Sequence, residues 1–184
     1  MSRNDHGKST VQAEIDIRIA RIDQLFETFD PSPFRERDLD PAATAFIVDW
    51  ARELNRSIPI ELHLHVRYAG PEQEAPEEVV SAIQGYFQRR ADAATREIRE
   101  LFRTGRIYLL VGLLILLLSL GGAEAVIYLF GNRPSVTLLA ESLIILGWVA
   151  NWKPLEIFLY DWWPIRRDAR LFRRLAAARV TVQG

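Results

Sequence analysis

The 184 residues carry 23 Lys and Arg against 24 Asp and Glu, a net charge of −1, but the near-balance conceals two opposite halves: residues 1 to 105 sum to −5 and residues 106 to 184 to +4. No cysteine is present, which excludes disulfides, thiol nucleophiles and thiolate-held metals. An acidic first half is a poor match for a phosphate backbone, so no nucleic-acid partner is expected.

Residues 1–12 are polar, lack the apolar core of a signal peptide, and read as disordered. From Ala13 to Ile19 apolar and charged residues alternate strictly, with β-branched side chains on one side, the pattern of a strand with one wet face. Residues 26–40 hold two prolines and three phenylalanines and read as an ordered loop pinned by its aromatics. Asp40 followed by Pro41 is a good helix start, a side-chain cap and then a pre-set φ, and Phe46, Ile47, Trp50, Ala51 and Leu54 form its apolar stripe. Ile58, Ile60, Leu62, Leu64 and Val66 alternate with Pro59, Glu61, His63 and His65 as a second strand, so that strand, helix and strand predict a parallel crossover. The domain is set at residues 13–75.

A connecting helix is predicted over residues 76–106, with apolar positions Val80, Ile83, Phe87, Ala94, Ile98 and Phe102 recurring every three or four residues and running on into the next segment. Because one copy can hardly cover that stripe, it predicts a homodimer contact.

Residues 107–123 (IYLLVGLLILLLSLGGA) hold no charge, and the apolar character resumes after Glu124, so residues 107–130 exceed the roughly 20 residues that a bilayer core requires. A turn at Gly131, Asn132, Arg133 and Pro134 is followed by a second apolar run, residues 134–153, with one internal acid, Glu141, and a terminal cluster of Trp148, Trp152 and Lys153 suited to a membrane interface. Leucines on every helix face argue against a buried hairpin in a soluble protein. Arg96, Arg99, Arg103 and Arg106 precede the first span, Arg166, Arg167, Arg170, Arg173, Arg174 and Arg179 follow the second, and only Arg133 lies between, which puts both termini in the cytoplasm. Residues 154–184 are expected to form a cationic, aromatic-rich helix along the inner leaflet with Leu171, Phe172 and Leu175, ending in residues 179–182, which alternate and suggest a third, edge strand.

Four sets of residues invite chemistry. Glu61, His63 and His65 share a strand face at a spacing that a divalent metal can bridge, but with so few ligands the plainer reading is a solvated face, and neither metal nor other cofactor is expected. Arg35 and Arg37 lie between a strand and a helix start, where anions bind in α/β proteins, although Glu36, Asp38 and Asp40 are at hand to neutralise them. Charge is expensive in a bilayer, which singles out Glu124 and Glu141; each stands seven residues from the turn, at matching depth, either as a buried pair able to share a proton or, with the first span ending near Gly122, with Glu124 reaching headgroup water. At the end of the second span, Asn151, Lys153, Glu156 and Asp161 form an interfacial polar cluster in which Lys153 and Glu156 are spaced to pair. Small residues at Gly112, Ser119, Ala123, Ala140 and Gly147 allow close helix approach, within the hairpin or between subunits. No phosphate-binding glycine loop, HExxH or Gly-x-Ser-x-Gly motif is present.

Residues 30–39 (DPSPFRERDL) and 145–164 (ILGWVANWKPLEIFLYDWWP) resemble an uncharacterised family of bacterial inner-membrane proteins with two transmembrane helices and a small cytoplasmic domain. That resemblance implies an architecture and no activity. The expected fold is thus an α/β membrane protein: a small cytoplasmic β-α-β domain, a long helix running into a two-helix transmembrane hairpin, and an amphipathic C-terminal helix. The expected function is a non-enzymatic, self-associating membrane scaffold, adaptor or sensor acting on a protein partner. The alternative is a small oligomeric ion or proton channel or transporter that uses the intramembrane carboxylates.

Overall fold

A computed structural model describes residues 13–27, 37–55, 57–67 and 75–183. Residues 1–12, read from sequence as disordered, and most of the loop expected over residues 26–40, Arg35 included, lie outside the described residues. The chain is mostly helical, with one three-stranded parallel sheet.

Alternation does in the structure what it predicts. Strands β1 (Ala13–Ile19) and β2 (Ile60–Val66) pair in parallel, Ile15 opposite Leu62 and Ile17 opposite Leu64, and all four side chains are buried. Helix α1 (Pro41–Glu53) joins them; the Asp40 carboxylate accepts hydrogen bonds from the Ala42 and Ala43 amides at 2.8 and 3.2 Å, which satisfies two of the donors that a helix start orphans. Its buried stripe is Thr44, Ile47, Val48 and Ala51. Phe46 and Trp50, expected in that stripe, are instead 44% and 47% exposed and face each other with ring centroids 5.9 Å apart. The stripe turns on the smaller side chains, and the two aromatics, one turn apart, flank it.

Strand β3 (Arg179–Gln183) adds to the free edge of β2, also in parallel, with Val180 opposite Leu62 and Val182 opposite Leu64, giving the order β1-β2-β3. The third strand expected from residues 179–182 is present, and it lifts the sheet beyond the marginal two-stranded case. The long helix α2 (Pro76–Phe130) is continuous over 55 residues. Near its start Val79, Ala82, Ile83, Tyr86 and Phe87 enter the same hydrophobic core as the sheet. The first part of the expected stripe, Val80, Ile83 and Phe87, is therefore covered within one chain.

Helix α5 (Trp162–Ala176) also departs from expectation. Leu171 and Leu175, expected to face a lipid surface, are 8% and 2% exposed; they lie in the core with Phe172, whose ring stacks on Phe87 at 6.4 Å. An amphipathic pattern specifies that one helix face seeks apolar company, not whether protein or lipid provides it. The open apolar face of a small sheet was the nearer partner.

Two compact units result, Met1–Ala93 with Asp168–Gly184, and Ala94–Arg167. The second unit holds the hairpin. After α2, Gly131 adopts φ +76°, a left-handed conformation natural to glycine, and Pro134 opens α3 (Pro134–Val149) at the position where its missing amide costs nothing. A short helix α4 (Trp152–Glu156) and a wider π-helical turn (Ile157–Asp161) lead into α5. The helical runs Pro76–Phe130 and Pro134–Ala176 are each long and apolar enough to cross a membrane, and only 17% of the most apolar stretch of each is buried in the protein.

Candidate functional site

The seam between α2 and α3 is built from small residues at heptad spacing. Gly105, Gly112 and Ser119 recur every seven residues on one helix, and Ala140 and Gly147 on the other, with Pro154 of α4 continuing the spacing; with Ala123 all are buried. A β-carbon on Gly147 would lie 2.9 Å from Leu116 Cδ1 and 3.0 Å from Ser119 Cβ, and one on Gly105 2.9 Å from Ile157 Cγ2. Backbones meet here at a distance no larger residue permits. Of the two uses expected for these small residues, the structure realises the one within the hairpin.

Asn151 locks this seam. Pro154 has no N–H to give the Ala150 carbonyl, so the helix breaks between α3 and α4, and the Asn151 amide turns back to the Trp148 carbonyl at 3.0 Å. Gly147 is thereby left without its usual donor, and the Asn151 side-chain nitrogen supplies one at 2.9 Å, while also donating across the seam to the Gly112 carbonyl at 3.0 Å. Sequence reasoning put Asn151 in the interfacial polar cluster; the structure buries it to 6% exposure between the helices. The other three members do come together: Lys153 Nζ lies 3.1 Å from Glu156 Oε2 and 3.4 Å from Asp161 Oδ2. The π-helical turn sets Asp161 within reach, and the exposed Trp148, Trp152, Tyr160 and Trp163 belong to the same segment.

Glu124 and Glu141 stand one residue beyond the buried Ala123 and Ala140, on the exposed surface of the hairpin, and neither forms a hydrogen bond or ion pair with a described residue. Glu124 lines a shallow depression with Gly121, Ala125, Ile127 and Tyr128.

In the first unit the helices cover one face of the sheet, and the other presents three rows of polar side chains: Glu14, Asp16 and Arg18 on β1, Glu61, His63 and His65 on β2, Arg179, Thr181 and Gln183 on β3. Among the described residues nothing covers this face. The three residues proposed from sequence do not stay together on it. His65 Nε2 turns to Asp16 Oδ1 at 3.2 Å, whereas Glu61 and His63 are joined by Glu14 from the neighbouring strand, one ligand atom of each lying within 4.8 Å of the others. Glu14 was missed because only the register of β1 on β2, which sets it opposite Glu61, makes the link. At the C-terminal ends of β1 and β2, Arg18, His65 and Arg67 line an open cleft, at the end of a parallel sheet where an anion site is expected from Arg35 and Arg37. Of those two, Arg37 is described, and the Arg89 guanidinium donates to its carbonyl at 3.3 Å and to Asp38 at 3.0 Å.

No family model, curated protein or solved structure matches the chain.

Proposed function

We propose that this chain is an integral membrane protein whose two-helix hairpin anchors a small α/β domain, and that it acts as a scaffold, adaptor or sensor rather than as an enzyme. The observation that carries this reading is the hairpin's surface: Leu110, Leu117, Leu118, Leu138 and Ile145 are between 62% and 69% exposed around a seam of small residues. In water such a surface would expose far more contiguous apolar area than a monomer tolerates; in a bilayer it is matched to its solvent. The tryptophans and Lys153 at the end of the second apolar run suit the headgroup region. With the arginines flanking the hairpin, both termini lie on the cytoplasmic side of the membrane.

Self-association is part of the proposal. A carboxylate on a lipid-facing surface is costly, and Glu124 sits beside Gly121 and Ala125, small enough for a second copy's helix to approach. Membrane fractions of expressing cells should retain the protein through an alkaline carbonate wash and release it only with detergent; recovery in the wash would overturn the anchor. Subunit counting in native-lipid particles should give more than one copy, and a uniform count of one would overturn the self-association.

A further inference from the structure

We infer that Glu14, Glu61 and His63 form a binding site for a first-row divalent cation on the open face of the sheet, with Thr181 as the residue that orients the imidazole. Three features of the first unit converge on this. Donor atoms come first: one imidazole nitrogen and two carboxylate oxygens lie within 4.8 Å of one another, with His63 Nε2 3.9 Å from Glu61 Oε2. Tetrahedral zinc holds its ligands about 3.3 Å apart, so a small rotation of the exposed Glu14 side chain closes the set.

The second feature is the state of the imidazole. His63 Nδ1 lies 2.7 Å from Thr181 Oγ1, and that hydroxyl is in turn 3.5 Å from the Leu62 carbonyl. When Nδ1 carries the ring proton it donates to Thr181 Oγ1, whose own proton can then turn to the Leu62 carbonyl. In that tautomer Nε2 presents its lone pair to the two carboxylates, with the outer hydrogen bond that a metal-bound histidine uses. Thr181 belongs to β3, so the arrangement exists only in the completed sheet.

Charge is the third. Glu14 and Glu61 stand directly opposite each other on adjacent strands, a like-charged arrangement that costs stability unless a cation intervenes. Arg179 is opposite Glu61 on its other side but forms no ion pair with it. Asp16, opposite His63, is engaged by His65. One nitrogen and two oxygens, with further positions open to water, suit Zn²⁺ or Mn²⁺ better than calcium, which takes six to eight oxygens.

The site does not depend on the membrane reading, and its test separates the two. His6, the one histidine outside the described residues, is first replaced by Gln in every protein used. The full chain in detergent is titrated with ZnCl₂ by calorimetry, and thermal unfolding of each metal-free variant confirms its fold. One Zn²⁺ per chain is expected with an affinity on the order of micromolar. Glu14→Gln and His63→Gln should each weaken it at least tenfold, Thr181→Val by about tenfold through the lost orientation, and His65→Gln not at all. Failure to bind below about 1 mM, binding that survives Glu14→Gln or His63→Gln, or equal sensitivity to His65→Gln would overturn the inference.

Discussion

Gly112 and Gly121 stand nine residues apart on the same helix, and the structure gives them opposite tolerances. A β-carbon at Gly112 would lie 2.7 Å from Asn151 Oδ1 and 3.0 Å from the Ala150 carbonyl, whereas one at Gly121 meets nothing within 4 Å. Gly112→Ala should therefore destabilise the hairpin by about 1–3 kcal/mol, the usual cost of overpacking, and Gly121→Ala should leave it unchanged or slightly more stable. Loss of helicity on heating in detergent, followed by circular dichroism, measures the difference; equal midpoints would contradict it. Asn151→Leu should cost about 1 kcal/mol, since a buried amide in such a seam makes its two hydrogen bonds with modest net gain, while Asn151→Asp, which forfeits both donated bonds, should cost more. The small residues of the seam were legible in the sequence because size is a local property. The role of Asn151 was not: it follows from the proline three residues on, from the carbonyl that the broken helix leaves at Gly147, and from Gly112 on the other helix, and no single window of sequence contains all three.

Among the elements, α5 and β3 show how far a pattern reaches. Each was visible as an element, and the alternation of residues 179–182 even indicated its place at the edge. The partner of α5 was not visible, because the same apolar stripe satisfies a lipid surface and the underside of a sheet. The difference has a direct consequence. If Leu171 and Leu175 served a membrane surface, shortening them would loosen attachment and leave the domain intact; since they are in the core, Leu175→Ala should destabilise the first unit by about 2–5 kcal/mol while the protein stays in the membrane fraction. Limited proteolysis of the α/β domain, read beside the fractionation, distinguishes the two outcomes, and release from the membrane without faster cleavage would count against the placement. A smaller effect is expected at Tyr86, whose hydroxyl accepts a hydrogen bond from Thr44 Oγ1 at 3.2 Å inside the core; Tyr86→Phe should cost about 1 kcal/mol in the same assay. The first turns of α2 teach the same lesson as α5: Val80, Ile83 and Phe87, part of the stripe from which a homodimer contact was expected, lie in or against the core of their own chain.

At the scale of the whole molecule, the sheet constrains the hairpin. The chain leaves the first unit after Ala93 and re-enters it at Asp168, and what it re-enters for is a strand paired in parallel with β2. Any crossing of a barrier between those two points must be made an even number of times, a condition that two apolar helices joined by a turn at Gly131 meet. In the proposed orientation, a cysteine placed at Asn132 should react with an impermeant reagent applied to intact cells, and one placed at Gln183 only after the membrane is opened. Labelling of Gln183→Cys from outside would reverse the topology, and labelling of both would break the hairpin. The arginine distribution carried no sign that the two flanks belong to one compact unit.

The same pairing also sets the order in which the molecule can be finished. β1 and β2 are made early, but the edge of β2 has no partner until residues 179–183 emerge, more than a hundred residues later, after the hairpin has been made. A contact so distant in sequence closes slowly, and until it closes the nascent domain carries an open strand and an apolar face missing Leu171, Leu175 and Val180. Both apolar helices must therefore be synthesised before the sheet can be completed, and a copy cut short within them would keep an open strand edge on β2.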